Sequence, residues 1–64
     1  MIAEHIARGR EVVGTTPGDR EIRMWLPKSQ RLPVAEYNGD TVIVVTADGS
    51  RFKLPRASVR LLGR

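Results

Sequence analysis

The chain has 64 residues, 11 Lys and Arg against seven Asp and Glu, a formal net charge of +4 and no cysteine. That length supports one domain with one small core, which buries only about 60% of the unfolded surface, and without cysteine neither a disulfide nor a thiolate metal site can brace it. No stretch approaches the roughly 20 apolar residues of a membrane span, and the first residues, with Glu4, His5 and Arg8, hold no apolar signal core. The expectation is a soluble, cytoplasmic protein that makes no use of a membrane.

Residues 1–9 place Ile2, Ala3, Ile6 and Ala7 at helical spacing, with Gly9 as a stop, and predict a short N-terminal helix. Two turns are not stable alone, so the helix must dock on the rest of the chain or on a second copy. His5, the only histidine, has no second ligand and no nucleophile nearby and is expected to be an ordinary surface or boundary residue. Arg10 to Thr16 reads as the first strand, with Gly14 marking a bulge or a close backbone approach. Thr16-Pro17-Gly18-Asp19 predicts a type II turn with Gly18 at the φ > 0 position.

Arg20 to Leu26 alternates, with Ile22, Met24 and Leu26 on one side and Glu21, Arg23 and Trp25 on the other. If the aliphatic side is the core, Trp25 stands outside beside Arg23, where an indole can stack on a base or anchor a protein contact. Alternatively it lies under the N-terminal helix or across a barrel edge, because Trp is mostly buried in small proteins. Pro27 to Pro33 is a polar loop carrying Lys28 and Arg31, and its prolines exclude a regular helix across it. Leu32 to Tyr37 forms a strand of ambiguous phase, with Leu32, Val34 and Glu36 on one side and Ala35 and Tyr37 on the other.

Asn38-Gly39-Asp40 is a hairpin turn that leads into Thr41 to Thr46, a β-branched run read as a central strand buried on both faces. Asp48-Gly49 predicts a two-residue type I′ hairpin. Beyond it Phe52 and Leu54 face the core and Arg51 and Lys53 face out. Pro55 ends the pairing, Arg56 to Ser58 fits one 3₁₀ turn, and Val59 to Leu62 returns as a closing strand. No repeat or linker divides the chain, so residues 1–64 read as a single domain with the short helix at 1–9 and a barrel over 10–62.

Charge is distributed unevenly along this order. Residues 1–50 hold six cations and seven acids, a balance of −1, whereas residues 51–64 hold Arg51, Lys53, Arg56, Arg60 and Arg64 with no acid, a balance of +5. A patch of that sign attracts polyanions by steering and counterion release, or serves simply as a solvated outer face.

Five hairpin-linked strands, a one-turn helix and a closing strand resemble the layout of an SH3-like small β-barrel, a mainly β fold. The resemblance is strongest at Asp48-Gly49 and at Leu54-Pro55-Arg56-Ala57-Ser58-Val59-Arg60-Leu61-Leu62, which looks like the end of SH3 and Tudor-like domains and of the C-terminal domain of retroviral integrases. It implies a five-stranded barrel with a one-turn 3₁₀ helix before the last strand, and it speaks to fold more than to function. With only Trp25, Tyr37 and Phe52 as aromatics, the chain assembles neither the aromatic groove of a peptide-binding SH3 domain nor a Tudor cage. The spacing from Leu26-Pro27-Lys28 to Gly39-Asp40 is also similar to that of AbrB-like swapped-hairpin transcription factors, which implies a short proline-led helix and an intertwined dimer. Pro33 falls inside that helix, and Gln30 and Val34 replace its leucines.

No carboxylate pair at catalytic spacing, Ser-His-Asp set, Gly-rich phosphate loop or metal-ligand cluster is present, so neither an enzyme nor a cofactor is expected. Two functions from different classes remain. In the first, Arg51, Lys53, Arg56 and Arg60 neutralise phosphates of DNA or RNA, Arg23, Lys28 and Arg31 extend the contact, and Trp25 stacks on an unpaired base. Four duplex contacts would give a salt slope of about −3 to −4. In the second, a protein-interaction module, such as a phage- or plasmid-encoded adaptor or inhibitor, holds a protein partner through the Trp25 face or a barrel edge. Self-association as a homodimer or homo-oligomer is compatible with both.

Overall fold

The computed structural model describes residues 1–63. They form seven strands, β1 (Ile2–His5), β2 (Arg10–Thr15), β3 (Glu21–Leu26), β4 (Arg31–Asn38), β5 (Thr41–Val45), β6 (Arg51–Pro55) and β7 (Val59–Leu62), with a 3₁₀ turn at Arg56–Ser58. All pairings are antiparallel, and the spatial order is β3-β2-β6-β5-β4-β1-β7. The fold is mainly β as expected, but the count is seven strands rather than five. Among the described residues no helix is long and apolar enough to cross a membrane.

The additional strand replaces the expected N-terminal helix. Ile2–His5 lies between β4 and β7, with Ala3 opposite both Leu32 and Leu61. Ala3 and His5 face the core and Ile2 and Glu4 are half-covered, an alternation of period two. Four residues are too few to separate that period from a helical one. Pairing decides the matter, because a strand hydrogen-bonded on both edges satisfies backbone groups that a two-turn helix leaves open. The proline-led helix implied by the AbrB-like spacing, which would include Gln30, Pro33 and Val34, is absent as well, since Gln30 ends a turn and Pro33 and Val34 belong to β4.

His5 is a core residue and not a surface one, at 2% exposure. Its backbone N–H donates to the Gln30 carbonyl at 2.8 Å and its carbonyl accepts from the Ser29 N–H at 2.7 Å. The ring Nδ1 lies 3.1 Å from the Pro27 carbonyl. A carbonyl can only accept, so the imidazole donates from Nδ1, and Nε2 is buried without a hydrogen-bond partner. His5 thus clasps the 27–30 loop to β1. His5→Ala removes both the packing and the ring hydrogen bond and is expected to lower stability by about 2–4 kcal/mol. The check is a lower urea midpoint at unchanged m-value, and an unchanged midpoint would show that the clasp is dispensable.

Eight buried hydrophobics form one core: Ala3, Val12, Leu26, Val42, Val44, Phe52, Leu54 and Val59. They come from both ends of the strand order and its middle, so the sheet coils around a single interior. The alternation read in β3 and β6 holds, with Leu26, Phe52 and Leu54 inward and Trp25, Arg51 and Lys53 outward. β5 is not buried on both faces. Val42 and Val44 are sealed inside, whereas Thr41, Ile43 and Val45 are only half-covered on the outer side. In β4 a bulge lies between Val34 and Glu36, after which Glu36 is opposite Ile43 and Tyr37 opposite Val42. The extra residue reverses the phase, so Glu36 joins the outer face, contrary to the simple alternation of this strand.

Two of the turns also differ from expectation. At 16–20 the left-handed residue is Asp19 (φ 66), not Gly18, and at 46–50 it is Gly49 alone (φ 89). In both, the first residue's carbonyl accepts from the N–H three residues on and its own N–H donates to the carbonyl four residues on. These are three-residue hairpin loops closed by a single left-handed residue, in place of the type II and type I′ turns. At 39–40 only Gly39 has positive φ (65), the sign pattern of a type II′ turn.

Candidate nucleic-acid interface

The outer face of β3-β2-β6-β5 is built by strict alternation opposite the core. Cross-strand register sets its rows. Glu21, Thr15, Arg51 and Val45 lie in one, Arg23 is opposite Val13 and Lys53 opposite Ile43 in the next, and Trp25 is opposite Glu11 in a third. Trp25 is 64% exposed, which decides between the two positions the sequence left open for it. A Cβ at Gly9 would lie 3.0 Å from the indole Cζ2 and 3.4 Å from Cε2, so the bare backbone at Gly9 seats one edge of the ring.

Beside it, Val13, Gly14, Thr15, Ile43, Arg51 and Lys53 line an open hollow of about 230 Å³. At the hollow, β2 pairs with β6 at two positions among the described residues, Gly14 opposite Phe52 and Thr15 opposite Arg51. Gly14 marks a close backbone approach, since a Cβ there would run into the Arg51 carbonyl and the Phe52 ring.

The structure divides the cations expected to act together. Arg51 and Lys53 share the outer face with Trp25, and among the described residues neither forms an ion pair. Arg23 is on the same face but lies 3.6 Å from Glu11 and 3.9 Å from Glu21. Arg56 donates from Nη1 to the Val59 carbonyl at 2.9 Å, and its guanidinium sits 5.9 Å from the centroid of the Tyr37 ring. Arg60 donates to Glu4 at 2.7 Å, and Arg31 is opposite Glu4 on the far side of β1. Lys28 is in the loop clasped to His5. Alternation in the sequence places Glu21 with Arg23 and Trp25, but Glu11, Val13 and Ile43 on this face and Glu36 on neighbouring β4 were not singled out; alternation could have found Glu11, whereas Glu36 is hidden by the bulge.

No family model matches the chain. Neither a curated protein nor a solved structure matches it. Its chemistry is therefore read from its own surface. Among the described residues no group of three or more His, Asp or Glu is arranged to hold a metal ion.

Two carboxyls are held below the ordinary carboxylate range. The hydrogen bond from Arg60 is the main cause at Glu4, opposed by burial and reinforced by the charges of Arg60 and Arg31. At Asp48 the cause is first the Thr46 hydroxyl and then the Ser50 N–H and hydroxyl, at 3.2 and 3.0 Å. A folded-state pKa below the unfolded one contributes stability that is fully present above the unfolded value and is lost as pH falls, here below about pH 5. Asp48→Asn is expected to lose stability less steeply than the parent between about pH 5 and 3. Chemical denaturation across that range is the check, and equal slopes would remove Asp48 from the acid response.

Proposed function

We propose that the chain is a non-catalytic nucleic-acid-binding module that meets its ligand on the outer face of β3-β2-β6-β5. One observation carries the reading: an indole 64% exposed shares a face with Arg51 and Lys53, whose charges no carboxylate neutralises among the described residues. The cations attract phosphates, and the indole offers a π-face for a base. Arg56 and Arg60, engaged within the protein, take a structural part instead. We further propose an SH3-like scaffold. Setting the β2–β3 hairpin aside as an insertion leaves five strands in the order β6-β5-β4-β1-β7, with the 3₁₀ turn ahead of the last.

The test is an anisotropy titration of labelled oligonucleotides at two salt concentrations, with a light-scattering mass to give the oligomeric state. Binding that weakens with salt and quenches Trp25 fluorescence supports the module. Absence of binding at low salt, or flat salt dependence, overturns it. A Trp25-dependent protein partner without oligonucleotide affinity would favour the interaction-module alternative.

A further inference from the structure

Resting on that reading, we infer that the face selects single-stranded over double-stranded nucleic acid, because its positive charge forms one narrow track bordered on both sides by carboxylates. The track is the outer side of β6, where Arg51 and Lys53 stand. Toward one flank, β2 and β3 carry Glu11 and Glu21 against Arg23 alone, which already lies near both. Toward the other flank, beyond the uncharged outer side of β5, the bulge in β4 turns Glu36 outward opposite Ile43, while the cation of that strand, Arg31, is opposite Glu4 of β1. Strands about 4.8 Å apart place β3 and β4 about 10 Å to either side of β6.

That spacing separates the two ligand classes. The grooves of a B-form duplex are about 12 and 6 Å wide, so a duplex with one backbone over Arg51 and Lys53 brings its second backbone toward the carboxylates of β3 or β4. Like-charge repulsion then opposes the attraction at β6. A single strand has no second backbone. Its phosphates can follow β6 while its bases turn toward the hollow between Val13 and Ile43 and toward Trp25. Register places Trp25 four residues along β3 from Glu21, the residue in the row of Arg51, about 14 Å along the strand. A footprint of that reach belongs at the short end of the roughly 4–16 nucleotides that single-strand sites of this size occupy. Phosphate and base face are common to DNA and RNA, so the inference concerns strandedness.

The experiment compares a labelled 12-nucleotide oligo(dT), its oligo(rU) counterpart and a 12-base-pair duplex at low salt, on the parent and on a Glu21→Gln/Glu36→Gln variant. The parent is expected to bind at least one single strand ten-fold or more tightly than duplex. The variant, altered only at exposed positions, is expected to narrow that ratio at least three-fold, chiefly by gaining duplex affinity. A parent that binds duplex as tightly as single strand overturns the inference while leaving the module reading in place, as does a ratio unchanged in the variant. A parent that binds none of the three overturns the module reading itself.

Discussion

Gly14→Ala is expected to lower stability by about 3 kcal/mol and to release the β2–β3 hairpin from β6. The methyl group has nowhere to go, because its position is taken by the Arg51 carbonyl and by the Phe52 ring, whose Cε2 would be 2.7 Å away. Backbone cannot rotate aside as a long side chain can, and Phe52 is the largest fully buried side chain in the core. Only two residue pairs join β2 to β6 among the described residues, so once these are pushed apart the hairpin is held mainly by Val12 and Leu26 in the core. A chain of this size has about 3–10 kcal/mol in total, and the loss would leave it close to unfolding. Gly18→Ala is the matched control: its φ is not positive and its nearest neighbour, Thr16 Oγ1, would be 3.8 Å away. It should leave the urea midpoint unchanged within about 0.5 kcal/mol. Equal midpoints for Gly14→Ala and the parent would contradict the close approach.

The same substitution bears on the proposed interface. Val13 and Trp25 travel with the hairpin, whereas Arg51 and Lys53 stay with β6. Detaching one from the other divides the indole from the cations without altering any of them.

Exchanging Arg51 and Lys53 together for glutamine is expected to weaken oligonucleotide binding at low salt on the order of ten- to a hundred-fold and to remove nearly all of its salt dependence. Two phosphate contacts on a single strand correspond to a slope of about −1.4 in the parent, roughly half or less of the −3 to −4 expected if Arg51, Lys53, Arg56 and Arg60 all served a duplex. The smaller value follows from geometry, since Arg56 is bonded to the Val59 carbonyl and Arg60 to Glu4. Arg60→Gln should accordingly leave affinity within about two-fold of the parent. Titrations at several salt concentrations test both variants together. A parent slope near −4, or an Arg60→Gln loss as large as that of the double variant, would return the closing segment as a whole to the interface.

Much of this surface was legible from residue order alone. Period-two alternation put Ile22, Met24 and Leu26 opposite Arg23 and Trp25, and Phe52 and Leu54 opposite Arg51 and Lys53, because a pleated strand leaves each side chain only two directions. Pro55, which has no N–H to donate, likewise marked the end of β6 and the 3₁₀ turn after it. Gly14 was recognisable as a point of close approach, although its neighbour Phe52 was not.

What tertiary structure alone decided was which groups meet. Ile2–His5 is a strand because β4 and β7 lie on either side of it, and nothing within four residues records partners so distant in the chain. His5 is buried because the 27–30 loop closes over it. The bulge that turns Glu36 outward is a feature of the β4–β5 pairing and leaves no mark on composition. Arg60 and Glu4, 56 positions apart, join only when β7 lies beside β1. Side-chain direction is a local property of a strand and can be read along the chain, whereas charge pairing and burial depend on neighbours that folding alone supplies. Sequence therefore showed which cations face outward, and the fold left Arg51 and Lys53 on the same face as Trp25 without a carboxylate partner among the described residues.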